Sequence, residues 1–245
     1  MPAVLVHGVP DTAQLWEPLR AHLQRDDVIA LDLPGFAAPV PEGFTATKED
    51  YADWLTAQLE AIGEPLDLVG HDWGGILVQR VASTRPDLVR TVACGSGPAD
   101  TQYTWHAMAQ LWQTPETGEQ MVEGWVAMPE DDCASAMAAG GAPAELAAIQ
   151  AAALDAEMAG CILALYRSAV AVGDEWEDAV SAMSRRPSLV LWGRDDPYVG
   201  PEYGERLAAR LGGDLVVFDG SAHWWPWDRA AESAARLEDL WSAGP

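Results

Sequence analysis

Six short apolar runs, Ala3–Val6, Val28–Leu31, Leu66–Val69, Leu88–Ala93, Ser188–Leu191 and Leu215–Phe218, alternate with helical periodicity along this chain of 245 residues. Short buried strands separated by amphipathic helices predict a parallel sheet with crossover helices. The helical patterns fall over Gln14–His22, Lys48–Ala61, Gly74–Ser83, Pro201–Leu211 and Arg229–Trp241. The third run leads directly into Gly70-His71-Asp72-Trp73-Gly74-Gly75 and a helix. That is the form of the G-x-S-x-G elbow, a tight strand-to-helix turn that lifts one side chain above a sheet. Here the lifted residue is Asp72, where the common pattern has a serine.

The alternation stops between Gly97 and Ser184. This stretch holds no strand pattern but carries aromatic residues and the Ala-rich helical segment Ala144–Val172. It is too long for an ordinary crossover loop, so it should have secondary structure of its own. The expected organisation is a core of residues 1–97 and 184–245 with a helical cap, 98–183, inserted between "SGP" at 96–98 and "SRRP" at 184–187.

Thirty-eight acidic residues face fourteen basic ones, a formal net charge of −24. Such a surface repels phosphate backbones and anionic lipid, which argues against nucleic-acid and membrane-surface binding. Cys94, Cys133 and Cys161 are odd in number and widely spaced, fitting neither a disulfide framework nor a zinc site. A phosphate-binding elbow would want a P-loop lysine or a G-x-G-x-x-G run, and the sequence has neither. No metal and no cofactor is expected. "MPAVLVHG" reads as a core strand and not a leader, and no apolar run is long enough to span a bilayer. The expectation is a cytoplasmic protein, monomeric or homodimeric.

After "SLVLW" comes Gly193-Arg194-Asp195-Asp196-Pro197, and after "LVVFDG" comes Ser221-Ala222-His223-Trp224. Nucleophile, acid and histidine, in that order beyond successive strand ends, make a catalytic triad. Asp196 is assigned the acid role and Asp195 a place in solvent. The backbone N–H groups of Val9 and Trp73 are the candidate oxyanion hole. His7 is read as structural, and Val9-Pro10 as a candidate cis peptide.

Through "HGVPD", "GHDWGG", "WGRDDPYV" and "AHWWP" the sequence resembles the α/β-hydrolase superfamily over essentially its whole length. Asp72 makes it similar to the branch holding epoxide hydrolases, haloalkane dehalogenases and fluoroacetate dehalogenases. Relatives usually carry two more strands before "VLVHG", so the expected α/β-hydrolase sheet has about six strands and a shortened N-terminal edge.

A carboxylate at the elbow is already ionised at neutral pH and can displace a leaving group from saturated carbon, forming an alkyl ester. His223 then deprotonates a water that cleaves the ester, with Asp196 orienting the ring. In "LALYRSA", Tyr166 resembles the cap tyrosine that donates to an epoxide oxygen. In "YTWHAMAQLW", His106 follows Trp105 as a histidine does in some relatives. Trp105 and Trp112 are candidate substrate contacts, since an indole N–H can also donate to a halide. Dehalogenases frequently have asparagine where Val9 stands, and Trp73 occupies the position of a carboxylate-binding arginine. The resemblance therefore implies hydrolysis of a small apolar or aromatic epoxide to a diol. A haloalkane dehalogenase is the alternative, and a non-catalytic ligand-binding protein the distant one.

Overall fold

The computed structural model describes residues 1–183 and 185–243; Ser184, in the expected cap exit, lies outside them. In chain order the elements are β1 (Ala3–Val6), a 3-10 turn at Ala13–Trp16, α1 (Glu17–Arg20), β2 (Val28–Leu31), α2 (Lys48–Ile62), β3 (Leu66–His71), α3 (Trp73–Thr84) and β4 (Val89–Gly95). Six helices follow: α4 (Ala107–Gln113), α5 (Thr117–Val126), α6 (Glu130–Ala139), α7 (Ala144–Ala153), α8 (Ala156–Ser168) and α9 (Val172–Ser181). The chain ends with β5 (Ser188–Gly193), α10 (Pro201–Leu211), β6 (Asp214–Phe218), α11 (Trp225–Asp228) and α12 (Ala230–Ala243).

The strands form one six-stranded sheet in the order β2-β1-β3-β4-β5-β6, with every pairing parallel. Alternation of side chains across the pleat divides the core in two. Val4, Val6, Leu68, Val92, Val190 and Trp192 join one buried cluster, while Leu5, Val69, Ala93, Leu189 and Leu191 join the other. The register sets Val6 beside Gly70 and His71 beside Gly95, so the loops after β1, β3 and β4 emerge together at the C-terminal end of the sheet. Within α2, Tyr51, Leu55 and Leu59 recur every four residues as its fully buried stripe.

One expectation needs correction, and one expected helical segment proves to be divided. The helix read over Gln14–His22 is a 3-10 turn followed by the four-residue α1. Thr12 accepts from Gln14 N–H and starts the turn early, and Pro18 lacks the N–H that a continuous helix would use there. The segment Ala144–Val172 is not one helix. α7 and α8 meet at a bend of 100° across Leu154-Asp155, and the Asp155 side chain caps α8 by accepting from Met158 N–H at 2.8 Å. Among the described residues no single helix is long and apolar enough to cross a membrane.

The helices between β4 and β5 do not pack as one body. Residues of α4, α5 and α8 join the first core cluster through Trp105, Trp112, Val122 and Ile162. The α6–α7 hairpin contributes Leu146, Ala147 and the intervening Ala142 to the second, alongside Trp224. α9 packs against α3 and α10.

If Asp155 makes the break, Asp155→Ala should cost about 1 kcal/mol. For a chain of this size that is a fall in Tm of roughly 2–4 °C in a thermal melt. An unchanged Tm would mean that packing alone sets the bend.

Candidate active site

Asp72 sits at the tip of the turn from β3 to α3 with φ +54° and ψ −124°, a conformation that L-residues rarely adopt and that surrounding structure must enforce. Glycine makes the enclosure possible. A Cβ on Gly74 would strike the carbonyls of Val6 and His7, and one on Gly70 would strike the Gly74 carbonyl. Asp72 N–H donates to Gly95 O at 3.0 Å, which ties the tip to β4.

The Asp72 carboxylate is held from two sides. Val9 N–H donates to Oδ1 at 2.9 Å, and His223 Nε2 lies 3.5 Å from Oδ2. Trp73 is the first residue of α3, so its backbone N–H is among those without an intrahelical acceptor. The Val9-Pro10 bond is cis.

His223 Nδ1–H donates to Asp196 Oδ2 at 2.8 Å. The other Asp196 oxygen accepts from Tyr198 N–H at 2.9 Å and Val199 N–H at 3.0 Å. Asp195 is exposed. Burial opposes ionisation of Asp196, but the charge and hydrogen bond of His223 and the two backbone donors hold its carboxyl below the ordinary range. Burial likewise opposes ionisation of Asp72, and the hydrogen bond and charge of His223 outweigh it. For His223, burial disfavours the imidazolium, yet the two carboxylates raise it to about 10. The resting site is two carboxylates around one imidazolium.

Two further histidines are structural. His7 accepts from Leu33 N–H through Nε2 and donates from Nδ1 to Gly8 O, and burial lowers it to about 4. His71 lies 2.9 Å through Nε2 from the carbonyl of His223, where it donates and steadies the histidine loop.

A cavity of about 220 Å³ stands over Asp72. Val9, Pro10, Asp72, Tyr198, His223 and Trp224 line it from the core. His106, Met108, Trp112, Trp125, Met128 and Tyr166 line it from one part of the cap, and Cys133, Met137, Gly140 and Gln150 from the α6–α7 side. Among the described residues no lysine or arginine forms part of its walls.

His106 caps α4, its Nδ1 accepting from Ala109 N–H at 3.3 Å. Burial pushes it down to about 4, so it is neutral and Nε2 carries the proton as a donor. Burial, then the charge of Asp72, pushes the Tyr166 phenol well above 10. The buried indole N–H of Trp112 has no hydrogen-bond partner. The reading of Trp105 as a substrate contact is corrected: its indole N–H donates to Ala169 O at 2.9 Å. It stacks on Trp73 behind the wall, with ring centroids 5.5 Å apart.

Sequence reasoning misses four wall or support residues. Tyr198 and Trp224 lie within the quoted motifs, but nothing in those motifs marks them for a role. Asp11 is fully buried, and burial raises it to about 7. Gln150, the lone polar residue in the middle of α7, sits one turn after Leu146 on the buried face. That position is the available signal.

The family described as "Alpha/beta hydrolase family" matches residues 3–236. A haloalkane dehalogenase of Bradyrhizobium diazoefficiens is 27% identical over 273 residues, 99% of this chain and 87% of that protein. A more local match is to epoxide hydrolase 4 of Mus musculus, 29% identical over 121 residues, 45% of this chain and 33% of that protein. The crystal structure of a haloalkane dehalogenase from Bradyrhizobium elkani superposes with a TM-score of 0.79 at 22% identity, covering 99% of this chain and 91% of that one; it shares the fold.

NMR titration of the His223 imidazole tests the charge arrangement. Asp72→Asn and Asp196→Asn should each lower its midpoint toward 6.5, whereas Asp195→Asn should leave it in place. Because the folded value is raised, the stability that His223 contributes is complete below pH 6.5 and lost as pH rises through about 10. The Tm difference between wild type and His223→Gln should therefore change across that window. Equal shifts from Asp195→Asn and Asp196→Asn would refute the assignment of the acid.

Proposed function

This chain belongs to the alpha/beta hydrolase family, and from that premise we propose that it hydrolyses a small apolar epoxide to a vicinal diol through an ester on Asp72. The carrying observation is the pairing of an ionised Asp72 with two uncharged donors, His106 and Tyr166, across one cavity with no lysine or arginine in its walls among the described residues. An opening epoxide releases an alkoxide, which needs a proton. A halide leaves as a stable anion and needs only donors.

Asp72 Oδ2, the oxygen beside His223, attacks an epoxide carbon as the ring C–O bond breaks. The phenol of Tyr166 protonates the released oxygen, with His106 donating beside it. Oδ1, already held by Val9 N–H, becomes the ester carbonyl oxygen. With Asp72 esterified, the His223 imidazolium gives up its proton to the Tyr166 phenolate by way of water, and a water then adds to Cγ and passes one proton to the neutral ring. Val9 and Trp73 N–H groups stabilise the oxyanion as it forms. Collapse breaks the Cγ–Oδ2 bond, and the departing oxygen takes the remaining proton of the added water; the diol leaves with the water's oxygen in an ionised Asp72 and with His223 again an imidazolium. Wall residues such as Met108, Met128, Trp112 and Trp125 suit an uncharged, apolar substrate body.

Dehalogenation of a haloalkane by the same two steps is the second reading. The unpartnered indole N–H of Trp112 and the full-length dehalogenase relative favour it.

In His223→Gln a good substrate should alkylate the enzyme and stall. Intact-mass spectrometry should find the whole epoxide added, and peptide mapping should put it on Asp72. Tyr166→Phe should slow diol formation, by up to roughly 10²–10⁴-fold where no other donor substitutes. An adduct on another residue would defeat the Asp72 assignment. Halide release without diol from any epoxide would move the protein to the second reading.

A further inference from the structure

Asp11 belongs to no step above, yet it is fully buried and joins three separately built parts of the site. Its own N–H donates to Gly8 O at 3.1 Å, closing the turn that carries Val9. Its Oδ2 accepts from Trp224 Nε1 at 3.2 Å, one residue beyond His223. Its Oδ1 accepts from Gln150 Nε2 at 2.7 Å, on helix α7 of the cap. Each of its two carboxyl oxygens thus receives one side-chain donor. An apolar side chain in its place would accept neither bond, whereas an asparagine can keep both, because Gln150 Oε1, which has no partner, can turn to accept from its NH2.

The α6–α7 hairpin that Gln150 belongs to has few other polar ties to the core. Tyr198 hydroxyl donates to Gly140 O at 2.8 Å, and the Trp224 ring lies under the hairpin's turn at Gly141. The hairpin packs on the opposite core cluster from α4, α5 and α8, so the cavity follows the seam between two packing units.

We propose that Asp11 is a positioning residue that fastens the α6–α7 hairpin and the His223 loop to the Val9 turn. With both donors engaged, the hairpin closes the seam over Asp72 and the imidazole keeps its line to the ester carbon. The kinetic consequence rests on the Asp72–His223 reaction proposed above; the fastening itself does not.

The test exchanges the two partners. Asp11→Leu should lose both bonds, and Gln150→Glu should set two carboxylates face to face. In the double variant Asp11→Asn/Gln150→Glu, the amide introduced at position 11 can accept from Trp224 and donate to the carboxylate introduced at position 150, so both bonds return, the second with its roles reversed. Hydrogen exchange across residues 130–153 should rise in each single variant and recover in the double. With an epoxide substrate, kcat should fall roughly 10-fold or more in Asp11→Leu and in Gln150→Glu, within the range up to about 10²-fold that small misplacements produce, and should recover alongside exchange in Asp11→Asn/Gln150→Glu. A fall in Tm with unchanged kcat, KM and exchange would make Asp11 merely structural and overturn the proposal. So would a double variant no better than the worse single one. Should His223→Gln form no ester, the reaction is wrong, while exchange across 130–153 still decides the fastening.

Discussion

Everything at this site depends on keeping two buried carboxylates beside one imidazole. Asp72 and Asp196 both lie in the closed end of the molecule, where an isolated carboxylate would take up a proton sooner than remain charged. Neither is isolated. His223 stands between them, Tyr198 and Val199 N–H groups complete Asp196, and Val9 N–H completes Asp72. Removing any one partner leaves a charge without compensation. The sheet provides the geometry, because parallel strands deliver the Asp72 turn, the Asp196 loop and the His223 loop to the same end, and glycines at 70 and 74 let the turn press against β1.

The cap adds donors without adding charge. His106 is neutral because it is buried and because its Nδ1 is occupied as a helix cap, and Tyr166 is neutral through burial beside an anion. Beyond the Asp72–His223 pair the cavity walls are aromatic rings, thioethers and uncharged donors, and among the described residues no lysine or arginine is there to hold a charged substrate. In the proposed reaction the charge that must be stabilised is therefore made within the cavity, on the opening oxygen and then on the ester oxygen. Both points have donors in place before the reaction starts, so little reorganisation is needed as charge develops.

Much of this is legible in the residues. All six strands can be read, because each is short and apolar between turn signals, although β3, β4 and β5 run on into His71, Gly95 and Gly193, where the apolar signal stops. Asp72, Asp196 and His223 are legible through their positions just beyond strand ends. Trp105 is not: a tryptophan beside a candidate donor looks the same whether its N–H faces a cavity or the Ala169 carbonyl. The bend at Leu154-Asp155 is hidden because alanines carry helical propensity straight up to a capping aspartate. Asp11 and Gln150 are invisible as a pair, since 139 residues separate them and no local pattern links one to the other.

The raised proton affinity of His223 sets the order of events in the proposed reaction. An imidazolium cannot act as a base, and between two carboxylates His223 holds its proton up to about pH 10. Alkylation changes this from within. Once Asp72 is an ester it carries no charge, and one of the two groups raising His223 is gone. Asp196 remains, so the ring keeps its orientation while its hold on the proton weakens. The proton it releases restores the Tyr166 phenol that gave one to the opening oxygen, so the first step generates the base that the second step requires, at the atom facing the new ester. A site with the histidine already neutral would activate water before substrate arrived. Two carboxylates, one of them consumed in the first step, give the sequence attack, deprotonation, hydrolysis.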